Sequence, residues 1–205
     1  MMLCELATEE RNAPWEKIFG PATHCASQAL ELWTDGRAAL SLDCIEEVPL
    51  GEFDLPDAGL LLNMVLLNVV SETAGQLVLL FDDRSAAKLV SILLQREAAD
   101  MDAWGELERS VLCETGNILG SALLNTMMRL TGRKLMPSPP ALIRDFAGSV
   151  IEQAMTGQAM FRDRVVMYRM RFHCGDSHWS GLFVPSYELL ESLRASLATS
   201  VTSPN

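Results

Sequence analysis

Residues Ala103–Leu130 read AWGELERSVLCETGNILGSALLNTMMRL. Leu107, Val111, Ile118, Ala122, Thr126 and Leu130, with Leu112, Leu119 and Leu123 beside them, fall on helical spacing. The spacing predicts an amphipathic helix whose apolar side faces a core. The opposite side is polar: Ser110, Glu114 and Asn117 lie four and three residues apart and stack on one face. Gly116, Gly120 and Ser121 flank them. A glycine inside a helix costs roughly 1 kcal/mol against alanine. Two of them beside a polar stripe mark a close approach, either by a neighbouring element of the same chain or by a partner.

Working outward, the pattern on one side of this helix repeats on the other. Residues 1–12 read as a loose terminus. Trp15–Trp33 keeps helical spacing through Ile18, Ala22, Cys25, Ala29 and Trp33, with Gly20-Pro21 predicting a kink or a later start. Thr34-Asp35-Gly36 reads as a turn. Ala38–Ile45 alternates as a strand, and a loop with Pro49 and Pro56 follows. Leu60–Val70 and Leu77–Phe81 read as a hairpin across Ser71–Gln76, and Asp82-Asp83 opens a helix to Leu94 with Ala86, Leu89, Val90 and Leu93 inward. After the Ala103–Leu130 helix come a proline-rich segment (Pro137, Pro139, Pro140) and a short helix near Phe146–Met155. Then follow a strand over Phe161–Cys174, a turn over Gly175–Ser180, a strand over Gly181–Val184 and a last helix from Pro185-Ser186 to about Leu197. Helix–strand–hairpin–helix thus occurs twice, over about residues 13–96 and about 103–197. This predicts one duplicated α+β domain spanning 1–205, with long helices packed on an antiparallel sheet and pseudo-twofold symmetry.

Composition narrows the function. Apolar residues are 49% of the 205, which supports a real core, and the net charge is −11. So acidic a chain repels a phosphate backbone, so nucleic acid and anionic membranes are poor partners. The five cysteines are odd in number and lack C-x-x-C spacing, which predicts a reducing cytoplasm rather than disulfides or zinc. Cys113 reads as a small buried helix residue, not a nucleophile. The N-terminus (MMLCELATEER) lacks a secretory pattern, and the longest apolar run, GLLLNMVLLNVV, is too short to span a bilayer. No P-loop, G-x-S-x-G or G-x-G-x-x-G occurs.

The polar stripe extends into a longer spacing: Ser110, three residues, Glu114, two residues, Asn117, twenty-two residues, Pro140. In all four positions and all three gaps it resembles the signature of the CheC/CheX/FliY family of chemotaxis phosphatases, and the surrounding Glu-Thr-Gly-Asn-Ile-Leu-Gly-Ser-Ala-Leu is similar too. The duplicated pattern agrees with that family's fold over nearly the whole chain. The resemblance implies a phosphoprotein phosphatase of two-component signalling, a hydrolase acting on the aspartyl phosphate of a CheY-type response regulator. It implies Asn117 positioning the attacking water and Glu114 docking on the regulator's active-site lysine. It implies no cofactor of the chain's own, Mg²⁺ in the partner regulator, and a CheD-type deamidase as a possible second partner. Gly116, Gly120 and Ser121 would admit the regulator closely. Ser110, through local hydrogen bonding, and Pro140, by fixing the nearby chain, would be structural.

The first copy departs from the signature. Asn12, Glu16 and Phe19 stand at the corresponding spacing, with Leu42 in the proline's place. Phenylalanine cannot hydrogen-bond a water, so one active face is expected. The alternative is a non-catalytic CheC-like module that binds a receiver, a receptor deamidase or a flagellar switch protein. A switch subunit is the less favoured of these, since no further domain follows Asn205 in this sequence. Two weaker signals remain. His173, Cys174 and His178 read as turn and core rather than metal ligands. Arg162, Arg164, Arg169 and Arg171 read as an edge strand, either docking an acidic partner or resisting aggregation.

Overall fold

Alternating apolar residues place one face of a strand against a core, and continuous apolar runs require cover on both faces. Both patterns occur here. In the computed structural model, residues 2–49, 59–70, 75–98 and 103–201 are described, with side chains over 15–49, 59–70, 75–98 and 103–196. The elements are α1 (Met2–Trp33), β1 (Ala39–Pro49), β2 (Leu61–Val70), β3 (Gly75–Phe81), α2 (Asp83–Leu94), α3 (Glu106–Thr131), β4 (Met136–Pro137), β5 (Ala141–Phe146), α4 (Ala147–Ala159), β6 (Arg164–Cys174), β7 (Ser177–Pro185) and α5 (Tyr187–Val201).

One antiparallel sheet runs β1-β6-β7-β3-β2, with β5 and then β4 along the outer side of β2. Exchanging β1 with β5, β2 with β6 and β3 with β7 leaves every pairing among these six strands unchanged. The fold is therefore α+β, with a pseudo-twofold axis between β3 and β7. Val65, Leu67, Leu79, Phe81, Tyr168, Phe172 and Phe183 point to one face, under α1, α2, α3 and α5. Leu62, Met64, Val78, Leu80, Met167 and Leu182 point to the other, where Ala147, Val150, Ile151 and Met155 of α4 cover them. Gln158, fully buried, closes α4 onto the sheet. Its Nε2 donates to the carbonyls of Val166 and Pro185 (2.8 and 2.6 Å), and its Oε1 accepts from the Val166 N–H at 2.8 Å.

Several expectations are corrected. Residues 2–12 are not a loose terminus in backbone terms: α1 runs unbroken from Met2 through Pro14 and Pro21. Its buried stripe is Trp15, Ile18, Phe19, Ala22, Ala26 and Leu30, with Cys25, Ala29 and Trp33 only partly covered. Packing of that stripe on the sheet and on α3 outweighs the backbone bond that a proline removes. The proline-rich segment ends β4 at Pro137, at the sheet margin where a missing N–H costs little, and leads through Pro139 and Pro140 into β5. The β6–β7 turn is only Gly175-Asp176, with Gly175 at φ 58°, and β7 starts at Ser177 because Trp179 belongs to the core. Strand β6 is internal, not an edge. Across it, Arg171, Arg169 and Arg164 pair with Asp43, Glu46 and Glu47 of β1, and Arg162 pairs with Glu191. Pro56 and turn residues 71–74 lie outside the described residues.

Helix ends follow local chemistry. Asp82 Oδ1 accepts from the Ser85 N–H at 2.6 Å to cap α2. Gly132, at φ 68°, ends α3 and returns its N–H to the Met128 carbonyl at 2.8 Å. Among the described residues no helix is long and apolar enough to cross a membrane.

Candidate functional site

Helix α3 lies low on the sheet, and its glycines account for that. A Cβ built on Gly116 would stand 2.5 Å from Val65 Cγ1, and one on Gly120 would stand 3.1 Å from Leu67 Cδ2. Both glycines are buried against β2 and let the helix backbone settle on the strand. They do not open the polar stripe to a partner, which corrects that expectation. The buried side of α3 is Leu112, Thr115, Gly116, Leu119, Gly120, Leu123 and Met127. Leu107 and Leu130, read as inward from their spacing, are 56% and 45% exposed.

The stripe itself faces water. Ser110 and Glu114 are exposed, while Asn117 and Ser121 are half-buried. Among the described residues none of these four side chains makes a hydrogen bond or ion pair. The Ser110 hydroxyl thus lacks the local bond expected of it. Glu114 and Asn117 sit one turn apart, with a rise of roughly 4.5 Å between them.

Neighbouring elements hold the stripe in place. On one flank Trp33 Nε1 donates to Thr115 Oγ1 at 3.0 Å, and Thr115 donates to the Val111 carbonyl at 2.9 Å, tying α3 to α1. On the other flank Cys113 meets the Leu142 backbone of β5; burial pushes its thiol pKa up and this backbone hydrogen bond opposes the rise. Pro137 lies within van der Waals reach of Gly120. Pro140, half-buried, leads directly into β5. The stripe therefore runs alongside β5, which meets α3 at Cys113. Spacing alone did not reveal this neighbouring strand, because the proline-rich segment reads as a loop.

The first copy carries no such pair. Phe19 is fully buried and stacks on Tyr168 at 4.5 Å between ring centroids. The burial phases of α1 and α3 coincide when the copies are shifted by one residue from the signature alignment. Ile18, Phe19, Ala22, Thr23, Ala26 and Leu30 then match Thr115, Gly116, Leu119, Gly120, Leu123 and Met127. Lys17 and Gly20 thereby fall opposite Glu114 and Asn117 and share their exposed and half-buried settings. Of the weaker signals, His173 and His178 meet edge-on at 5.4 Å with His173 Nε2 bonded to Ser41 Oγ, and no metal-holding cluster occurs among the described residues.

Comparison with solved structures matches the whole architecture. The structure of Thermotoga maritima FliY superposes with a TM-score of 0.69 over 94% of this chain and 98% of that one, at 14% identity. The fold is that of the CheC/CheX/FliY family. The same fold is found in CheX of Borrelia burgdorferi, solved as a CheX–CheY–BeF3–Mg²⁺ complex (TM-score 0.55, 16% identity, 82% and 96% coverage). The Helicobacter pylori FliG–FliM complex matches too (TM-score 0.61, 13% identity, 91% and 98% coverage). In sequence, the chain is 31% identical over 70 residues to CheC1 of Halobacterium salinarum, named as a candidate CheY-P phosphatase. That match covers 34% of this chain and only 36% of the relative. No protein-family profile matches the chain.

Proposed function

We propose that this chain hydrolyses the aspartyl phosphate of a CheY-type response regulator in chemotaxis signalling. The observation that carries the reading is the Glu114–Asn117 pair: a carboxylate and an amide side by side on a braced helix, facing water and lacking partners among the described residues. An acyl phosphate is already activated, and phosphoryl transfer is loose, so little base catalysis is needed. What is needed is a water held in line with the bond to phosphorus. The Asn117 amide donates and accepts hydrogen bonds and orients that water. The water oxygen bonds to phosphorus, the aspartyl carboxylate leaves, and inorganic phosphate is released. Glu114 docks on the lysine of the receiver, an ion pair that gains strength as the interface excludes water. Mg²⁺ belongs to the receiver, in keeping with the CheX–CheY–BeF3–Mg²⁺ complex.

The structural likeness to FliM in complex with FliG favours a second reading, a non-catalytic module bound to a receiver, a CheD-type deamidase or a flagellar switch protein. Phosphate decay from purified phosphorylated receivers separates the two. The wild-type chain accelerates decay, and Asn117→Ala removes at least a hundredfold of the gain, the scale of one positioning group, without shifting the unfolding midpoint. Binding with an unchanged decay rate supports the module instead.

A further inference from the structure

A receiver seated over Asn117 covers more than Asn117. A specific interface of about 800 Å² per partner has a radius of roughly 16 Å. Two exposed apolar features lie towards the N-terminal end of α3, Leu107 inside that circle and the Leu61–Phe146 pair at its margin. Leu107 lies one heptad before Glu114 on the same stripe, roughly 15 Å from Asn117 along the helix, and is 56% exposed. Leu61 and Phe146 are register partners on β2 and β5, 48% and 54% exposed. Leu142 of the same strand touches Cys113 of α3, and Phe146 is roughly 14 Å further along. Strand alternation puts Leu61 and Phe146 on the helix-covered face, with Val65 and Leu142. Asp83 beside them accepts from Asn63 at 2.8 Å and from Arg144 at 3.0 Å, which pins the two strands together at this end. A water-exposed phenylalanine and leucine on a braced strand pair, bordering a polar reactive stripe, have the makeup of an interface anchor beside a polar rim.

We infer that Leu61, Phe146 and Leu107 form the apolar anchor against which the receiver seats beside its phosphoaspartate, so that they set affinity while Asn117 sets rate. This rests on the receiver-phosphatase reading for its occupant. A second exposed apolar pair, Val70 and Met136 (58% and 51%), has the opposite strand parity, points to the α4 face, and serves as an internal control.

The test uses the full chain with each CheY-type receiver of the source cell, once phosphorylated and once trapped with beryllofluoride. Truncating two apolar anchors raises KM for the phosphorylated receiver and Kd for the trapped one about tenfold or more, with kcat within twofold. Leu61→Ser/Phe146→Ser does this, and Leu107→Ala does so to a smaller degree. Val70→Ser/Met136→Ser leaves both unchanged, and Asn117→Ala lowers kcat with Kd retained. Should the double variant fail to fold by circular dichroism, Phe146→Ala and Leu107→Ala carry the test. Unchanged KM and Kd in the anchor variants, or an equal rise in the control pair, overturns the proposal, as does the lack of binding to any trapped receiver. If the wild type binds without accelerating decay, the phosphatase reading fails, and weaker binding of the anchor variants still upholds the surface.

Discussion

At Gly116 two effects oppose each other, and their sizes decide the outcome. Alanine gains about 1 kcal/mol of helix propensity over glycine. Its methyl, however, would lie 2.5 Å from Val65 Cγ1, far inside contact distance, on a helix also wedged against Leu67. Overpacking of this kind costs about 1–3 kcal/mol. Gly116→Ala is therefore expected to lower stability by up to about 2 kcal/mol net, measured as a drop in the urea midpoint at unchanged slope. A gain in stability would mean that α3 stands further from β2 than described. The sequence marked Gly116 and Gly120 as sites of close approach, but it did not say to what. Helical periodicity gives a face and leaves its neighbour open, and the neighbour here is a strand some fifty residues earlier. The same gap explains Leu107: an apolar residue on period counts as core until the depth of the neighbouring elements is known.

At the scale of the element, the start of α3 carries a pH dependence. Glu108, in the first turn, accepts from the Gly105 N–H at 3.1 Å and pairs with Arg96. Its own backbone N–H first, then Arg96 and the Gly105 N–H, hold its carboxyl pKa below the usual 4.5, against the effect of burial. A carboxylate with a depressed folded-state pKa adds stability that is present above its unfolded value and fades as pH falls through the folded one. Urea midpoints should therefore drop as pH is taken below about 4.5, and Glu108→Gln should show a smaller drop. An equal fall in both would assign the acid sensitivity to other carboxylates. Elements with strong periodicity or clear caps, such as α2 behind Asp82 and α3 itself, were legible in the letters. Strands β4 and β5 were not, because three prolines in the four residues 137–140, at the end of β4 and in the link to β5, look like a loop until a partner strand is known. Gln158 gave no signal either, since a polar residue in a helix reads as solvated until the two carbonyls and one N–H that it serves are seen.

Across the whole molecule the duplication is interlocked. Strand β1 of the first half lines the outside of β6 in the second, and β5 of the second lines the outside of β2 in the first. Neither half owns a complete sheet, so the two should melt together. Trp15 and Trp33 report the first half, and Trp104 and Trp179 the second. Variants keeping only one pair, the other two replaced by phenylalanine, are expected to show the same midpoint by fluorescence as by circular dichroism. Two separated transitions would refute the interlock. The repeat was visible in the sequence as an order of elements. The exchange of outer strands was not, because pairing across a hundred residues leaves no local trace.

That exchange has a consequence for how the chain changes over generations. The first half cannot be lost, because its first strand lines the outside of β6 in the second. It is held to its inner surface only. Lys17 and Gly20, which water touches, are free to drift among descendants, whereas Phe19 and Leu30, which the other half leans on, are not. The first copy thus persists as ballast for the second.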